Sequence, residues 1–505
     1  MMDWQAAAVE AGRIAQAWTA EGGPGGAVLL FDADDLRAQA CGGLASLELA
    51  LPFHADTAVR YASISKHFLA AYLLRTDGLG LTDFLGTHLP LPPTLGAVTV
   101  GRALDMTSGL PDALETLWLL GVPPSATLGD QALLAFIRRL DGLNFAPGTE
   151  ISCSSTGYRL VQAALEAKGI DYAAELRERF FRPLGLGIRL PYDEAEPVAE
   201  LAGGYWKSPS GWRRGRYGLH FSASGGLAGS AQDLVAWLQA LIGGRPPADG
   251  LLPRLARLRT LADGRATDYG LGLARQALGA RVLVGHGGSL PGFRTQFLLD
   301  PQARAGVVVV SNREDTDAAA CSLRVMAALH RTTLPPPARG VLPEGLYAMP
   351  GTPFWMEHQG GVVTYQGAQE TVYPDEADGV ASRSAHLPIR LRREDGAIAG
   401  EIGHAPRRFV PVPADVEPDP GWAGAWVCPA QNARFDIAIA DNEARMTIGA
   451  GPLLTELPLR PIGDGRGLTE RGDDGPWTQR ACLQFGRDEV RLATNRSRVL
   501  RFVRG

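Results

Sequence analysis

The sequence predicts an α+β protein: an antiparallel sheet carrying helices, with a helical subdomain, followed by two small antiparallel β-barrels. Three observations point there. Up to about residue 332, segments with helical periodicity alternate with short apolar strands. A stiff proline-rich stretch, Thr333-Leu-Pro-Pro-Pro-Ala-Arg339, then intervenes, and beyond it the chain is almost all short strands and turns. Within that part Gly345-Leu-Tyr-Ala-Met-Pro350 parallels Gly424-Ala-Trp-Val-Cys-Pro429, 79 residues later, and each block closes on a similar element, Arg408-Phe-Val-Pro-Val412 and Arg501-Phe-Val-Arg504. A weak repeat of this kind suits two barrels of roughly 80 residues each. The expected organisation is therefore 1–332, 333–418 and 419–505.

The elements follow in order. The run MMDWQAAAVEAGRIAQAWTAEGG has acidic residues where an export signal would be basic, and its alanines form an amphipathic pattern. It predicts a helix over 4–20, and a strand over 26–31 comes next. The run SISKHFLAAYLLR, from Ser63, has few β-branched residues and apolar side chains at 64, 68, 69, 72 and 73, which is helical spacing over 63–76. Further helices are predicted over 130–140, 156–168 and 231–242, and strands over 269–273, 281–285, 293–299 and 305–310. Beyond the linker, Phe354-Trp-Met-Glu, Gly361-Val-Val-Thr-Tyr-Gln, Ile389-Arg-Leu-Arg and Ile398-Ala-Gly-Glu-Ile read as strands, and Pro413 to Pro420 separates the two β-rich blocks.

Composition narrows the function. The chain has 505 residues, enough for two to four domains, and its 45% hydrophobic content suits globular cores. The formal net charge of -5 offers no basic footprint for nucleic acid. No run of 18 apolar residues is present, so no membrane helix is expected. The five cysteines are odd in number and widely spaced, without C-x-x-C, which points to reduced thiols and a cytoplasmic protein. The nine histidines show no metal-ligand pattern, and neither a metal nor another cofactor is expected.

The chemistry is read first from Ser63-Ile-Ser-Lys66. Residues three apart share a helix face, so the lysine amine can take the serine's proton, and a helix N-terminus favours the negative charge that develops nearby. Alone, the pair is equally an N-cap with a solvated lysine one turn later. Its company decides: Phe145-Ala-Pro-Gly-Thr-Glu-Ile-Ser-Cys-Ser-Ser-Thr-Gly-Tyr158, Gly285-His-Gly-Gly-Ser-Leu-Pro-Gly-Phe-Arg294, Met106-Thr-Ser-Gly-Leu110 and Ser224-Gly-Gly-Leu227, in that functional grouping.

Over roughly residues 20 to 330 these segments resemble the serine β-lactamase and penicillin-binding-protein superfamily, in the branch of class C β-lactamases, D-stereospecific peptidases and esterases. The two C-terminal barrels narrow the resemblance to the bacterial D-aminopeptidase family. That resemblance implies a β-lactamase/transpeptidase-like catalytic domain, with Ser63 as nucleophile, Lys66 as its proton acceptor, and His286 on a strand beside it. Gly287 and Gly288 would let the substrate backbone lie along that strand. The backbone N–H groups of Ser63 and Ser289 would form the oxyanion hole. Ser155 would hydrogen-bond Lys66. A homodimer is implied as well, with no nucleic-acid or membrane partner.

The second motif departs from the family's Tyr-x-Asn, whose phenol would receive the nucleophile's proton and pass it to the leaving group, since Cys153-Ser-Ser155 stands there. Three readings stay open: Cys153 as a base through a bridging water, Lys66 working alone, or loss of the parent activity. In that family a loop of the last barrel reaches the cleft and limits it to short substrates with a free amino end. The segment 463–477 is the candidate, with Asp473 or Asp474 binding a substrate ammonium; it reads equally as a solvated turn. The expectation is a serine hydrolase that releases amino-terminal residues, D-residues among them, from short peptides, amides or esters. The alternatives are a broad esterase or amidase of the same superfamily and a non-catalytic ligand-binding descendant.

Overall fold

The structure is a computed structural model that describes residues 2–376, 378–472 and 475–505. Six helices matter for the site: α1 (Trp4–Ala20), α2 (Lys66–Arg75), α3 (Ala113–Leu119), α4 (Ser155–Ala167), α5 (Ala231–Gly243) and α6 (Ala318–His330). They surround an antiparallel sheet made from both ends of the first part. Its strands are β1 (Gly26–Asp32), β2 (Leu36–Gly42), β3 (Ala274–Leu278), β4 (Arg281–Leu290), β5 (Phe293–Asp300) and β6 (Ala305–Ser311), in the order β2-β1-β6-β5-β4-β3.

Both faces of the sheet are covered, which is why β1 and β6 read as unbroken apolar runs. Successive side chains of a strand point to opposite faces. Val28, Leu30, Val307 and Val309 meet α1 and α6, through Ala11, Ile14, Trp18, Val325 and Met326. Leu29, Phe31, Val308 and Val310 belong to the larger core that holds Phe68 of α2 and Trp237 of α5. Each such side chain contributes about 1.5–3 kcal/mol on burial. The alanines of α1 allow its close approach, and Asp3 caps it by accepting from the Ala6 N–H at 3.0 Å.

Two closed eight-stranded barrels follow, so the expected fold class is found. The repeated sequence elements are their seams. Gly345–Ala348 pairs with Ala405–Pro411 to close the first barrel, and Gly424–Cys428 pairs with Leu500–Arg504 to close the second. Closure removes free strand edges, which lets such small sheets stand alone. The barrels touch each other through Ala348, Trp355, Ile462, Leu468 and Cys482.

Both barrels dock on the catalytic part at one buried carboxylate. Glu150 takes Arg407 of the first barrel at 2.8 Å and Arg498 of the second at 2.7 Å. Phe354 lies under both guanidiniums, at 4.8 and 5.1 Å. The Ile151 N–H donates to the Gly403 carbonyl of the first barrel at 3.0 Å, and the Ser152 N–H to Met106 at 3.0 Å. The second motif is thereby pinned from two sides just before Cys153.

Two boundaries differ from the sequence reading. The strand expected to end at 285 runs on to Leu290 through a glycine pair. A Cβ on Gly288 would lie 2.2 Å from the Tyr61 carbonyl oxygen, so the missing side chain lets the strand press against the turn that carries Ser63. The segment Tyr269–Leu273 is no strand; β3 starts at Ala274. Gly272 turns there at φ +74°, and a Cβ on it would stand 2.6 Å from the His67 Cα.

Glu150→Ala leaves two buried guanidiniums unpaired, a loss of about 3–5 kcal/mol in docking. It should speed limited proteolysis of the 333–344 segment at least tenfold. An unchanged digestion rate would show that apolar contacts alone hold the barrels.

Candidate active site

Ser63 sits in a tight turn, Ala62–Ser65, that leads directly into α2. Ala62 is held at φ 52°, a left-handed conformation costly for a residue with a side chain. The turn is tied down by the Tyr61 carbonyl, which accepts from the Thr295 hydroxyl of β5 at 2.8 Å. Beyond Gly285 the outer edge of β4 has lost its β3 partner, and residues 286–290 lie open beside this turn.

Lys66 is completely buried. Its Nζ donates to Ser63 Oγ at 3.0 Å and to the Ser224 carbonyl at 2.5 Å. Burial pulls its ammonium below the ordinary lysine range; Cys153 and Asp112 oppose this, and the Arg496 guanidinium adds to it. A lysine in such a place releases its proton readily and can accept one from the neighbouring hydroxyl.

The second motif is arranged differently from the expectation. Lys66 reaches the Ser224 carbonyl, not Ser155, whose side chain is shorter than the asparagine it replaces. The Ser155 N–H opens α4 by donating to Asp112 Oδ2 at 2.9 Å. The half-buried Cys153 Sγ faces Arg496, whose Nη1 lies 3.9 Å away. The space beside the thiol is thus filled from the second barrel. Tyr158 is spoken for, since its hydroxyl donates to the Leu104 carbonyl at 2.6 Å.

His286 is buried behind the cleft. The Gly287 carbonyl, 2.6 Å from Nδ1, can only accept, so Nδ1 carries the proton and Nε2 accepts from the Tyr269 hydroxyl at 2.9 Å. Burial keeps the ring neutral, helped by His386 and Lys66. His386 comes from the loop between Gly379–Ser382 and Ile389–Glu394 of the first barrel, with its ring 4.7 Å from that of His286. Burial lowers its pKa to about 4.

Ser63, Ser155 and Ser289 open into a cavity of about 650 Å³. Trp118, Tyr217, Phe221 and Trp477 give it an aromatic wall, with Tyr217 and Phe221 stacked at 5.6 Å. Gly367–Gln369 of the first barrel and Pro476–Thr478 of the second line it as well. Arg294, Arg480 and Arg496 also line it, with Glu115. Gly287 lies in β4 opposite Gln296, and Ser289 Oγ accepts from Arg294. Asp473 and Asp474 lie outside the described residues. Among those residues no group of three or more His, Cys, Asp or Glu is placed to hold a metal ion, and no helix is long and apolar enough to cross a membrane.

Arg496, Glu115 and His386 escaped the sequence reading. Each is a single polar residue in a stretch without periodicity, and two of them belong to barrels whose contact with the cleft is visible only in three dimensions.

Comparison with known proteins accords with this geometry. The family described as Beta-lactamase matches residues 11–331. A D-aminopeptidase of Cereibacter sphaeroides is 28% identical over 494 residues, covering 92% of this chain and 92% of the relative. A D-aminopeptidase of Gluconobacter oxydans is 29% identical over 331 residues, 64% of this chain and 62% of the relative. Among solved structures, the octameric penicillin-binding protein homologue from Pyrococcus abyssi aligns with a TM-score of 0.56 and 17% identity, over 97% of this chain and 98% of its own. The D-amino acid amidase from Ochrobactrum anthropi aligns with 0.54 and 24% identity, over 64% of this chain and 99% of its own.

Because Arg496 fills the space beside Cys153, Cys153→Tyr alone overpacks the cleft and should cost about 1–3 kcal/mol. Arg496→Ala should relieve it. Thermal unfolding of the two single variants and the double variant checks this: strong coupling is expected, and additive shifts would place the guanidinium elsewhere.

Proposed function

Since the chain belongs to the Beta-lactamase family, we propose that it is a serine hydrolase that acylates Ser63 and releases amino-terminal residues, D-residues among them, from short peptides, amides or esters. The observation that carries this reading is the buried Lys66 amine 3.0 Å from Ser63 Oγ. Neutral Lys66 takes the Ser63 proton as Oγ attacks the acyl carbonyl. The backbone N–H groups of Ser63 and Ser289 hold the resulting oxyanion. Lys66 then hands its proton to the leaving group as the C–N or C–O bond breaks, leaving the ester on Ser63. A water enters, gives a proton to Lys66, attacks the ester carbonyl, and the proton returns to Ser63 Oγ as the acid departs.

The remaining residues support that cycle. Cys153, turned toward Arg496, takes no part in proton transfer in this reading, which is the one in which Lys66 works alone. His286 and Tyr269 position β4 against the turn. The barrel segments that line the cavity restrict it to short substrates, and the aromatic wall suits an apolar side chain. The relatives named D-aminopeptidase support the aminopeptidase form of the reading. The absent phenol favours the esterase form as well, since an alkoxide or phenoxide leaves with less help from a proton than an amine does. The five unpaired cysteines suit a cytoplasmic location, and the family resemblance carries a homodimer into the proposal.

The test is turnover of D- and L-alanine p-nitroanilides beside p-nitrophenyl acetate. Ser63→Ala and Lys66→Met should each lose activity by about a thousandfold or more. Turnover of any of these at the wild-type rate by Ser63→Ala would remove the assignment.

The rate also carries a sign. Activity needs neutral Lys66, so it rises with pH through a midpoint below the ordinary lysine value of 10.5. Arg496 pushes that midpoint down; Arg496→Met should therefore move the acidic limb to higher pH. A limb that stays in place or moves down would mean that a different group governs it.

A further inference from the structure

We propose that Arg496 reads a carboxylate on the leaving side of the substrate, so that the preferred leaving group is an amino acid with a free carboxyl end. The inference deepens the hydrolase reading above and rests on it. Arg496 stands in the turn that joins Glu489–Ala493 to Leu500–Arg504, at the end of the second barrel. The turn is clamped to the catalytic part. Its Arg496 carbonyl accepts from the Asp112 N–H at 2.8 Å and from Asn144 Nδ2 at 2.9 Å. The Thr494 hydroxyl donates to Glu115 Oε2 at 2.6 Å, and the Ser497 hydroxyl lies 2.8 Å from that of Thr116.

The side chain is held but not used up. Nε donates to Glu115 Oε1 at 2.6 Å, and Nη1 lies 3.9 Å from Cys153 Sγ and 3.8 Å from Asp112 Oδ2. Nη2 donates to none of the described residues. Arg496 lines the same cavity as Ser63 and Ser155. The cavity's other two cations are committed: Arg294 to Glu314 and Ser289, Arg480 to Glu357 and Glu470. A planar guanidinium with a free end, fixed in place by a carboxylate behind it, matches a carboxylate ligand in geometry and charge.

Its position gives the side. Arg496 sits against Cys153, where the family's tyrosine would serve the leaving group. The short thiol leaves the room that the arginine occupies. One substitution therefore removes a proton donor and admits a carboxylate reader.

The test measures binding, so it does not depend on turnover. In a Ser63→Ala background, calorimetry with D-alanylglycine and D-alanylglycinamide compares ligands that differ at the carboxyl end. The dipeptide should bind about tenfold or more tighter than its amide. Arg496→Met should erase that difference, and Arg496→Lys should keep part of it. Equal affinities without any change at Arg496, or a preference that survives Arg496→Met, would overturn the proposal. Turnover of p-nitrophenyl acetate by the native enzyme tests the hydrolase reading separately.

Discussion

The buried carboxylate of Glu150, shared between Arg407 and Arg498, is the contact on which the arrangement of the cleft depends. A lone carboxylate in that place would be costly, and so would either guanidinium. Only with all three parts of the molecule docked is every charge paired. The requirement acts three residues before Cys153, so docking the barrels and placing the second motif are one event. Apolar contacts follow the same lines: Leu119 of α3 joins the core of the second barrel, and Ala385 of the first barrel joins the core of the catalytic part.

Docking changes the chemistry of the cleft as well as its shape. It brings the charge of Arg496 to bear on Lys66 and places His386 beside His286. Burial drives Lys66 and both imidazoles toward their neutral forms; neighbouring charge assists at the imidazoles, whereas at Lys66 Cys153 and Asp112 oppose it and Arg496 assists. On the function proposed above, the first part of the chain supplies nucleophile and base, while the barrels add charge and further walls to the cavity.

The fold was legible because its signals are local and repeated. Helix α1 occupies the expected 4–20, and the two seam elements of each barrel are the repeated segments themselves. Ser63 and Lys66 were legible because one helical turn separates them. The run of β4 to Leu290 was not, because two glycines look like a break in sequence and are in fact the condition for close approach to Tyr61. Nor were the partners of Glu150, which lie 257 and 348 residues away. A single arginine in a barrel turn has no pattern that connects it to a serine more than 400 residues earlier. The substitution at Cys153 was plain in the sequence, but its meaning depends on what fills the space.

The central claim is that Ser63, not the nearby thiol, is the nucleophile of this cleft. Reaction with a fluorophosphonate, read by intact mass and peptide mapping, tests it most directly. One adduct per chain is expected, on the peptide that contains Ser63, and it should vanish in Ser63→Ala. An adduct on the peptide that contains Cys153, or labelling that persists without the Ser63 hydroxyl, would contradict the account.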